Sequence, residues 1–126
     1  MAAIFEKYFY PHAMSNHNLL LETASLNNQE LNVDLLSVKK ASLVLRALNH
    51  KLRQIILKLI AENDGITVSE IYSKLLLEQS VASQHLAILR KAGFVKTKRD
   101  GKFIYYSINK QRFLELNEFI KALLHL

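Results

Sequence analysis

The amino-acid sequence predicts a mainly α fold with one small β-hairpin, an α+β arrangement. Three patterns support this. Apolar residues recur at helical spacing over residues 33–91, the period changes to an alternating one over residues 94–108, and a wide apolar stripe returns from Lys110 onward. With 126 residues, half of them hydrophobic, the chain suits one main domain with a real core and leaves little room for a second.

Composition narrows the class of protein. The net charge of +6, from 17 Lys and Arg against 11 Asp and Glu, favours polyanionic partners such as nucleic acid or anionic lipid. There is no cysteine, which excludes disulfides and thiolate metal sites. No apolar run approaches the ~20 residues of a membrane-spanning helix, and Glu6 and Lys7 interrupt any secretory signal. We therefore expect a cytoplasmic protein with no membrane partner.

The first 32 residues differ in composition from the rest. They contain the aromatic run IFEKYFY, the only proline and an Asn-rich stretch. We expect residues 1–32 to form an N-terminal arm that is partly ordered or holds one short helix near residues 18–26. Residues 33–126 are then the folded domain.

Two helices are predicted at the start of that domain, with a break near Asn49. The evidence is the helical spacing of Val38, Ala41, Leu45 and Leu48, and then of Leu52, Ile55, Ile56 and Leu59.

A tight pair of helices should follow. Gly65 can end the preceding helix in a left-handed conformation. Thr67 can cap a short helix, and Glu70 three residues later completes a capping box. The next helix, QSVASQHLAILRK, should end at Gly93.

The alternating segment FVKTKRDGKFIYYSI predicts a β-hairpin. Asp100 and Gly101 read as a two-residue type I′ turn. Pairing outward from that turn places Thr97 opposite Ile104 and Val95 opposite Tyr106 on a face suited to a core. The other face should be basic and aromatic, with Lys96, Lys98, Phe103 and Tyr105.

The last helix carries an apolar stripe that is wide for a small protein. Phe113, Leu116, Ile120 and Leu123 form it, and Phe119 and Leu124 widen it. Such a surface needs a partner. The order of helices, tight helix pair, hairpin and last helix is that of a winged helix-turn-helix, in which the second helix of the pair enters the DNA major groove.

That second helix has two chemically different sides. Its core side should hold Val81, Ala82, His85, Leu86 and Leu89, and its outer side should hold Gln79, Ser80, Ser83, Gln84, Ala87 and Lys91. Glutamine can pair with adenine, serine can bond base edges or phosphates, and an alanine methyl can touch thymine. The alternative interpretation is an ordinary solvated helix face.

The hairpin supplies four cations. Lys96, Lys98, Arg99 and Lys102 could neutralise DNA phosphates, which would make the affinity depend steeply on salt. They could equally form a charged edge that discourages strand addition.

Residues 44–108 resemble a known family. The segments that carry the resemblance are VLRALNHKLRQIILKLI, with Arg53, then QSVASQHLAILRKAGFV and RDGKFIYYSI. They are similar to the arsenical-repressor (ArsR-like) family of bacterial winged-helix regulators. The resemblance implies a homodimeric repressor that binds an imperfect inverted repeat and dimerises through its first and last helices. The dimer residues would be Leu45, Phe113, Leu116, Phe119, Ile120, Leu123 and Leu124.

Three positions depart from the family pattern. Lys51 replaces a common proline, Leu76 replaces a turn glycine, and Glu78 replaces the serine cap of the recognition helix. The last two could shift the turn or weaken the cap by ~1 kcal/mol.

This sequence also lacks the residues that bind metal in the family's metal sensors. Thr67 and Ser69 occupy the positions of a thiolate pair, and Lys110, Arg112, Leu123 and Leu126 occupy those of a zinc site between the last helices. We expect no metal and no cofactor, and the effector stays open.

The histidines leave one alternative. His12, His17 and His125 could meet in a dimer to form a non-standard metal site. His50 is expected at the surface or as a helix cap, and His85 is expected to pack with one ring nitrogen satisfied.

The sequence therefore predicts a sequence-specific DNA-binding transcriptional regulator, with double-stranded DNA and a second copy as partners. A protein-interaction module that has lost DNA reading is the alternative. An enzyme is not expected, because no nucleophile with a base, no Gly-rich phosphate loop and no spaced carboxylate pair is present.

Overall fold

The computed structural model describes residues 18–21 and 31–126, with side chains from residue 33 onward. The chain divides into two compact units, residues 1–43 and 44–126. In the first unit, β1 (Asn18–Leu21) pairs antiparallel with β2 (Leu31–Asp34), so that Leu21 lies opposite Leu31. Helix α1 (Leu35–Leu48) begins there, where the Asp34 carboxylate accepts a hydrogen bond from the Leu36 amide (3.0 Å).

The short helix predicted near residues 18–26 is wrong over Asn18–Leu21. The backbone of this segment bonds to β2 across the strand pair, which uses the amide and carbonyl groups that a helix would bond within itself. A run of leucines satisfies either pattern, so the partner strand decides the outcome. Residues 22–26 lie outside the described residues.

The second unit contains the elements of the predicted winged helix-turn-helix. After the end of α1 come α2 (Lys51–Glu62), β3 (Ile66–Thr67), α3 (Val68–Lys74), α4 (Gln79–Lys91), β4 (Val95–Asp100), β5 (Phe103–Ile108) and α5 (Lys110–Leu124). Helices α3 and α4 are the tight pair, and β4 and β5 form the hairpin, or wing. The short strand β3 was not predicted; it adds to the free edge of β5, giving the sheet order β3-β5-β4.

The core lies where α2, α3 and α4 meet the base of the sheet. Its largest fully buried side chains are Phe94, Ile56, Ile60, Ile66, Ile71, Leu86 and Leu89. The Phe94 ring lies 5.0 Å from that of Phe113, which brings the start of α5 onto the same core. Burial of this apolar surface is the main stabilising contribution to the fold.

Two of the helices begin at the predicted caps. His50 Nδ1 accepts from the amides of Leu52 (3.2 Å) and Arg53 (3.4 Å) at the start of α2. The Thr67 hydroxyl accepts from the Glu70 amide (3.3 Å) at the start of α3. These bonds satisfy amides that a helix leaves unpaired at its first turn.

The hairpin register differs from the prediction by two residues. Thr97 pairs with Tyr106, Val95 with Ile108 and Arg99 with Ile104. The turn consists of Gly101 and Lys102 rather than Asp100 and Gly101, and among its residues only Gly101 (φ +60°) has a positive φ.

This turn explains the shift in register. Positive φ at the first central residue alone is the pattern of a type II′ turn, which places glycine at that residue. Type I′ would also require positive φ at Asp100, which glycine adopts more readily than aspartate. A shift of two residues preserves the side-chain alternation, so the predicted faces of the hairpin survive.

The connection between α3 and α4 contains a strained leucine. Leu76 has φ +54° and is 92% exposed. An L-residue in the left-handed region loses about 1–2 kcal/mol, and such an exposed side chain gains little from burial. Leucine at the position of the family's turn glycine therefore places a strained backbone conformation in this connection.

We expect Leu76→Gly to stabilise the protein by about 0.5–1 kcal/mol, because relief of strain exceeds the extra chain entropy that glycine loses on folding. Urea unfolding at fixed protein concentration measures this. Leu76→Ala is the matched control, since alanine keeps the strain. A glycine variant no more stable than the alanine variant would contradict the explanation.

Candidate nucleic-acid interface

Helix α4 presents one buried and one exposed side. Ala82, Leu86 and Leu89 are 0% exposed in the core. The predicted outer residues are all exposed: Gln79, Ser80, Ser83, Gln84, Ala87 and Lys91. The structure thus confirms the division of the helix into two sides, and it places the polar groups together on a rigid, half-buried element.

The end of α4 is tied to the start of α5. Gly93 (φ +85°) ends the helix, and its carbonyl accepts from Asn109 Nδ2 (2.9 Å). Arg112 Nε donates to the Ala92 carbonyl (3.1 Å). A Cβ on Gly93 would lie 3.3 Å from Arg112 Nε, so both the backbone angle and the close approach favour glycine here. These bonds fix the direction in which the chain leaves α4 for the wing.

The wing carries its four cations in exposed positions: Lys96, Lys98, Arg99 and Lys102. Within the described part of the chain, no carboxylate forms an ion pair with any of them; the two ion pairs there are Arg112–Glu115 and Lys121–Glu118. Their charge is therefore available to an outside anion.

The two faces of the wing differ along its length. Val95 and Tyr106 are buried at its base, as predicted for the core face, but Ile104 is 40% exposed. Beyond the base the hairpin extends past the core, so that face loses its packing partner near the tip. Arg99 shares this face, since it pairs with Ile104, and its Nε donates to the Gly101 carbonyl (3.3 Å).

Arg53 is a buried cation with a role that the sequence did not reveal. It is 7% exposed, and its Nε donates to the Ala47 carbonyl (2.7 Å) while Nη2 donates to the Arg46 carbonyl (3.0 Å). Its Nη1 lies 3.3 Å from Nδ1 of His85 on α4. One guanidinium therefore joins the end of α1 to the helix that bears the polar face.

His85 must be neutral for this contact. Arginine only donates, so His85 Nδ1 accepts from Arg53. The His50 ring lies 4.8 Å away, centroid to centroid. Burial lowers the pKa of His85 below its usual 6.5, and the charges of His50 and Arg53 lower that pKa further. The prediction that His85 packs with one ring nitrogen satisfied agrees with these contacts, and His50 is the helix cap that the sequence allowed.

This lowered pKa gives stability a pH dependence. The unfolded chain protonates His85 first as the pH falls, so its contribution is complete above about pH 6.5 and is lost progressively below that value. We expect the unfolding midpoint to fall more between about pH 7.5 and about pH 5.5 in the wild type than in His85→Gln, which keeps an acceptor but does not titrate. Equal falls in the two proteins would contradict this explanation.

Helix α5 keeps much of its predicted stripe exposed. Phe113 and Leu116 pack partly against the core of their own chain. Phe119, Leu123 and Leu124 are 45%, 58% and 59% exposed. The half-buried Leu45 and Ile120 complete the predicted dimer set, whose role in dimerisation stays a prediction.

The described residues contain no group of three or more His, Cys, Asp or Glu side chains placed to hold a metal ion. His12 and His17 lie outside the described residues, so the alternative site that they could form with His125 stays a prediction. In the same described ranges, no helix has the length and hydropathy needed to cross a membrane.

The chain is similar in sequence to a known family of proteins. Residues 50–97, from the His50 cap into the wing, match the sequence pattern of the bacterial regulatory protein arsR family. A helix-turn-helix-type transcriptional regulator of Methanocaldococcus jannaschii is 36% identical over 85 residues, covering 68% of this chain and 96% of that protein.

A second relative is similar in both sequence and structure. The transcriptional activator HlyU of Vibrio cholerae is 32% identical over 103 residues, covering 82% of this chain and 92% of HlyU. The structure of its reduced form has 32% identity and a TM-score of 0.54, over 69% of this chain and 90% of that one.

A more distant structure supports the fold alone. The homodimeric winged helix-turn-helix DNA-binding domain Mb0332 of Mycobacterium bovis is 24% identical, with a TM-score of 0.58 over 71% of this chain and 82% of that one. Taken with the polar face of α4 and the basic wing, these matches establish that the chain belongs to the arsR family and is a DNA-binding transcriptional regulator with a winged helix-turn-helix fold.

Proposed function

We propose that the protein is a homodimeric repressor that binds an inverted repeat in double-stranded DNA, without a metal or cofactor and without catalytic activity. The observation that carries this proposal is the polar side of α4, which lies opposite the buried Ala82, Leu86 and Leu89 and next to a wing whose four cations form no ion pair with any described residue. A regulator that reads chromosomal DNA acts in the cytoplasm of a bacterium or archaeon.

The residues divide into two groups by what they would contact. Ser83, Gln84 and Ala87 lie near the middle of α4 and would read base edges, with Gln79 and Ser80 at its first turn. Lys91 and the wing cations Lys96, Lys98, Arg99 and Lys102 would hold phosphates, which set the position and the salt dependence.

Dimerisation would use the exposed surface of α5. Phe119, Leu123 and Leu124 are large apolar side chains that are each about half exposed. A second copy, related by a two-fold axis, would cover them and place two α4 helices on the two halves of an inverted repeat. If that repeat overlaps a promoter, the bound dimer excludes polymerase and the outcome is repression.

Fluorescence anisotropy with the DNA upstream of its own gene tests this function. The wild type should prefer that DNA over a scrambled duplex of equal length, and Ser83→Ala with Gln84→Ala should reduce the preference at least about tenfold, since a good base contact is worth 1–3 kcal/mol.

The control is Ser73→Ala with Gln111→Ala, an exposed serine and an exposed glutamine outside α4. No binding by the wild type at low salt would contradict DNA binding altogether and favour the protein-interaction module instead. A promoter–reporter fusion then shows whether the bound protein lowers transcription.

A further inference from the structure

A cleft of about 380 Å³ lies between the start of α4 and the wing. The proposed DNA contacts use Gln79, Ser83 and Lys102 from its walls but give no role to its two tyrosines. Its walls include Ser69 and Tyr72 from α3, Gln79 and Ser83 from α4, and Lys102 and Tyr106 from the wing. The cleft therefore adjoins both of the surfaces proposed to contact DNA.

Two tyrosines that line this cleft have hydroxyl groups with no hydrogen-bond partner among the described residues. Tyr106 is 9% exposed and Tyr72 is half-buried. No described residue hydrogen-bonds to either phenol oxygen. Polar groups in folded proteins almost always bond to protein, water or ligand, and a phenol hydroxyl can donate one hydrogen bond, so both groups are suited to an acceptor that enters the cleft.

The charge of the cleft favours an anion. Lys102 is its only charged lining residue, and Lys102 Nζ lies 5.4 Å from the centre of the Phe103 ring. The nearby Glu70 does not line the cleft, and its Oε1 accepts from the Thr67 hydroxyl (3.1 Å). One cation and several neutral donors match a singly charged group with exposed oxygens, which is the description of a phosphodiester.

The position of the cleft indicates that this phosphodiester belongs to the DNA backbone. When a recognition helix lies in the major groove and a wing lies along the backbone, the DNA strand that borders the groove must pass between them. A strand on that path would cross this cleft, which α4 and the wing both line.

We infer that the cleft seats a phosphodiester of the DNA backbone, with the Tyr72 and Tyr106 hydroxyls donating to its oxygens and Lys102 supplying the opposite charge. The inference rests on the proposed function and adds Tyr72 and Tyr106 as DNA-contacting residues. Because phosphate contacts carry no sequence information, their loss should weaken binding to every sequence alike.

The test is anisotropy on a scrambled duplex across a range of salt concentrations. Tyr72→Phe and Tyr106→Phe should each weaken binding by roughly tenfold, the effect of losing a hydrogen bond to a charged oxygen, and should leave the salt slope unchanged. Lys102→Gln should instead reduce the slope of log K against log salt by about 0.9, the value for one phosphate contact.

Matched controls separate the cleft from general effects. Tyr105→Phe removes a hydroxyl from the opposite face of β5, and Lys58→Gln removes an exposed cation from α2; neither residue lines the cleft. Thermal unfolding of each variant shows whether it is folded, and the phenylalanine substitutions keep the buried ring.

Two results would overturn the inference while leaving the proposed function intact. In the first, Tyr72→Phe and Tyr106→Phe bind like Tyr105→Phe while the wild type binds DNA. In the second, inorganic phosphate stabilises the wild type but not Tyr72→Phe at matched ionic strength, with DNA affinity equal in both, which would assign the cleft to a small free anion. A wild type that binds no duplex at low salt would overturn both the function and the inference.

Discussion

Arg53→Ala should lower the free energy of unfolding by about 3 kcal/mol, because two carbonyls of α1 and a ring nitrogen of α4 lose their donor in a buried site. Arg53 is 7% exposed, so water does not freely replace its side chain. Urea unfolding at fixed protein concentration measures the loss, and the fixed concentration is necessary because dimerisation contributes to apparent stability.

Arg46→Ala is the control for this substitution. It removes an exposed arginine from the end of α1 but leaves in place the Arg46 carbonyl that Arg53 bonds, and it should change stability by less than about 1 kcal/mol. Arg53→Lys should recover little of the loss, since an ammonium does not reproduce the planar fork that reaches three acceptors. Equal stability of the Arg53→Ala and Arg46→Ala variants would show that the buried contacts contribute little.

The second large effect concerns the dimer. Phe119→Asp combined with Leu123→Asp should raise the dimer dissociation constant by at least about a hundredfold, because full burial of each such side chain is worth about 1.5–3 kcal/mol and both protomers lose two. Sedimentation velocity across a dilution series measures it. DNA affinity should fall in parallel, since one half-site alone then holds each protomer.

Leu114→Asp is the matched control on the same helix. Leu114 is 61% exposed, more than Phe119 at 45%, yet helical geometry places it on the other side of α5 from both Phe119 and Leu123. It should leave the dimer intact. If Leu114→Asp dissociates the dimer and the double variant does not, the interface lies on the opposite side of the helix.

The sequence predicted the features that depend on local periodicity and on single caps. The spacing of apolar residues located α2, α4 and α5, and it separated the buried Leu86 and Leu89 from the exposed Ser83 and Gln84. The helix caps at His50 and Thr67 could also be predicted from the sequence, because each requires one side chain at one position before a helix.

Features that depend on pairing between distant residues could not be predicted from the sequence. The segment Asn18–Leu21 has its strand partner beyond an intervening stretch, and the hairpin register depended on which residue beside Gly101 entered the turn. Alternation alone did not decide the register, since a shift by two residues leaves every side chain on its original face.

The buried contacts and the cleft needed three-dimensional structure for a related reason. Arg53 was visible in the sequence as part of a family resemblance, but its acceptors come from α1 and α4. The cleft is lined by residues of α3, α4 and the wing, and the alternating pattern identified Tyr106 only as a core residue. Its hydroxyl has no partner among the residues that the structure describes. One indication of this role for Tyr106 was present in the sequence, since a tyrosine in a core requires a partner for its hydroxyl.

Selection of bound duplexes from a random-sequence pool tests the central claim most directly. A dimer that reads DNA through the exposed side of α4 should enrich one inverted repeat, with half-sites centred about 10 base pairs apart or a multiple of that spacing. Ser83→Ala with Gln84→Ala should lose that enrichment while still binding DNA at low salt. A wild-type pool that shares no common sequence after repeated rounds, or that enriches a site without two-fold symmetry, would contradict the account.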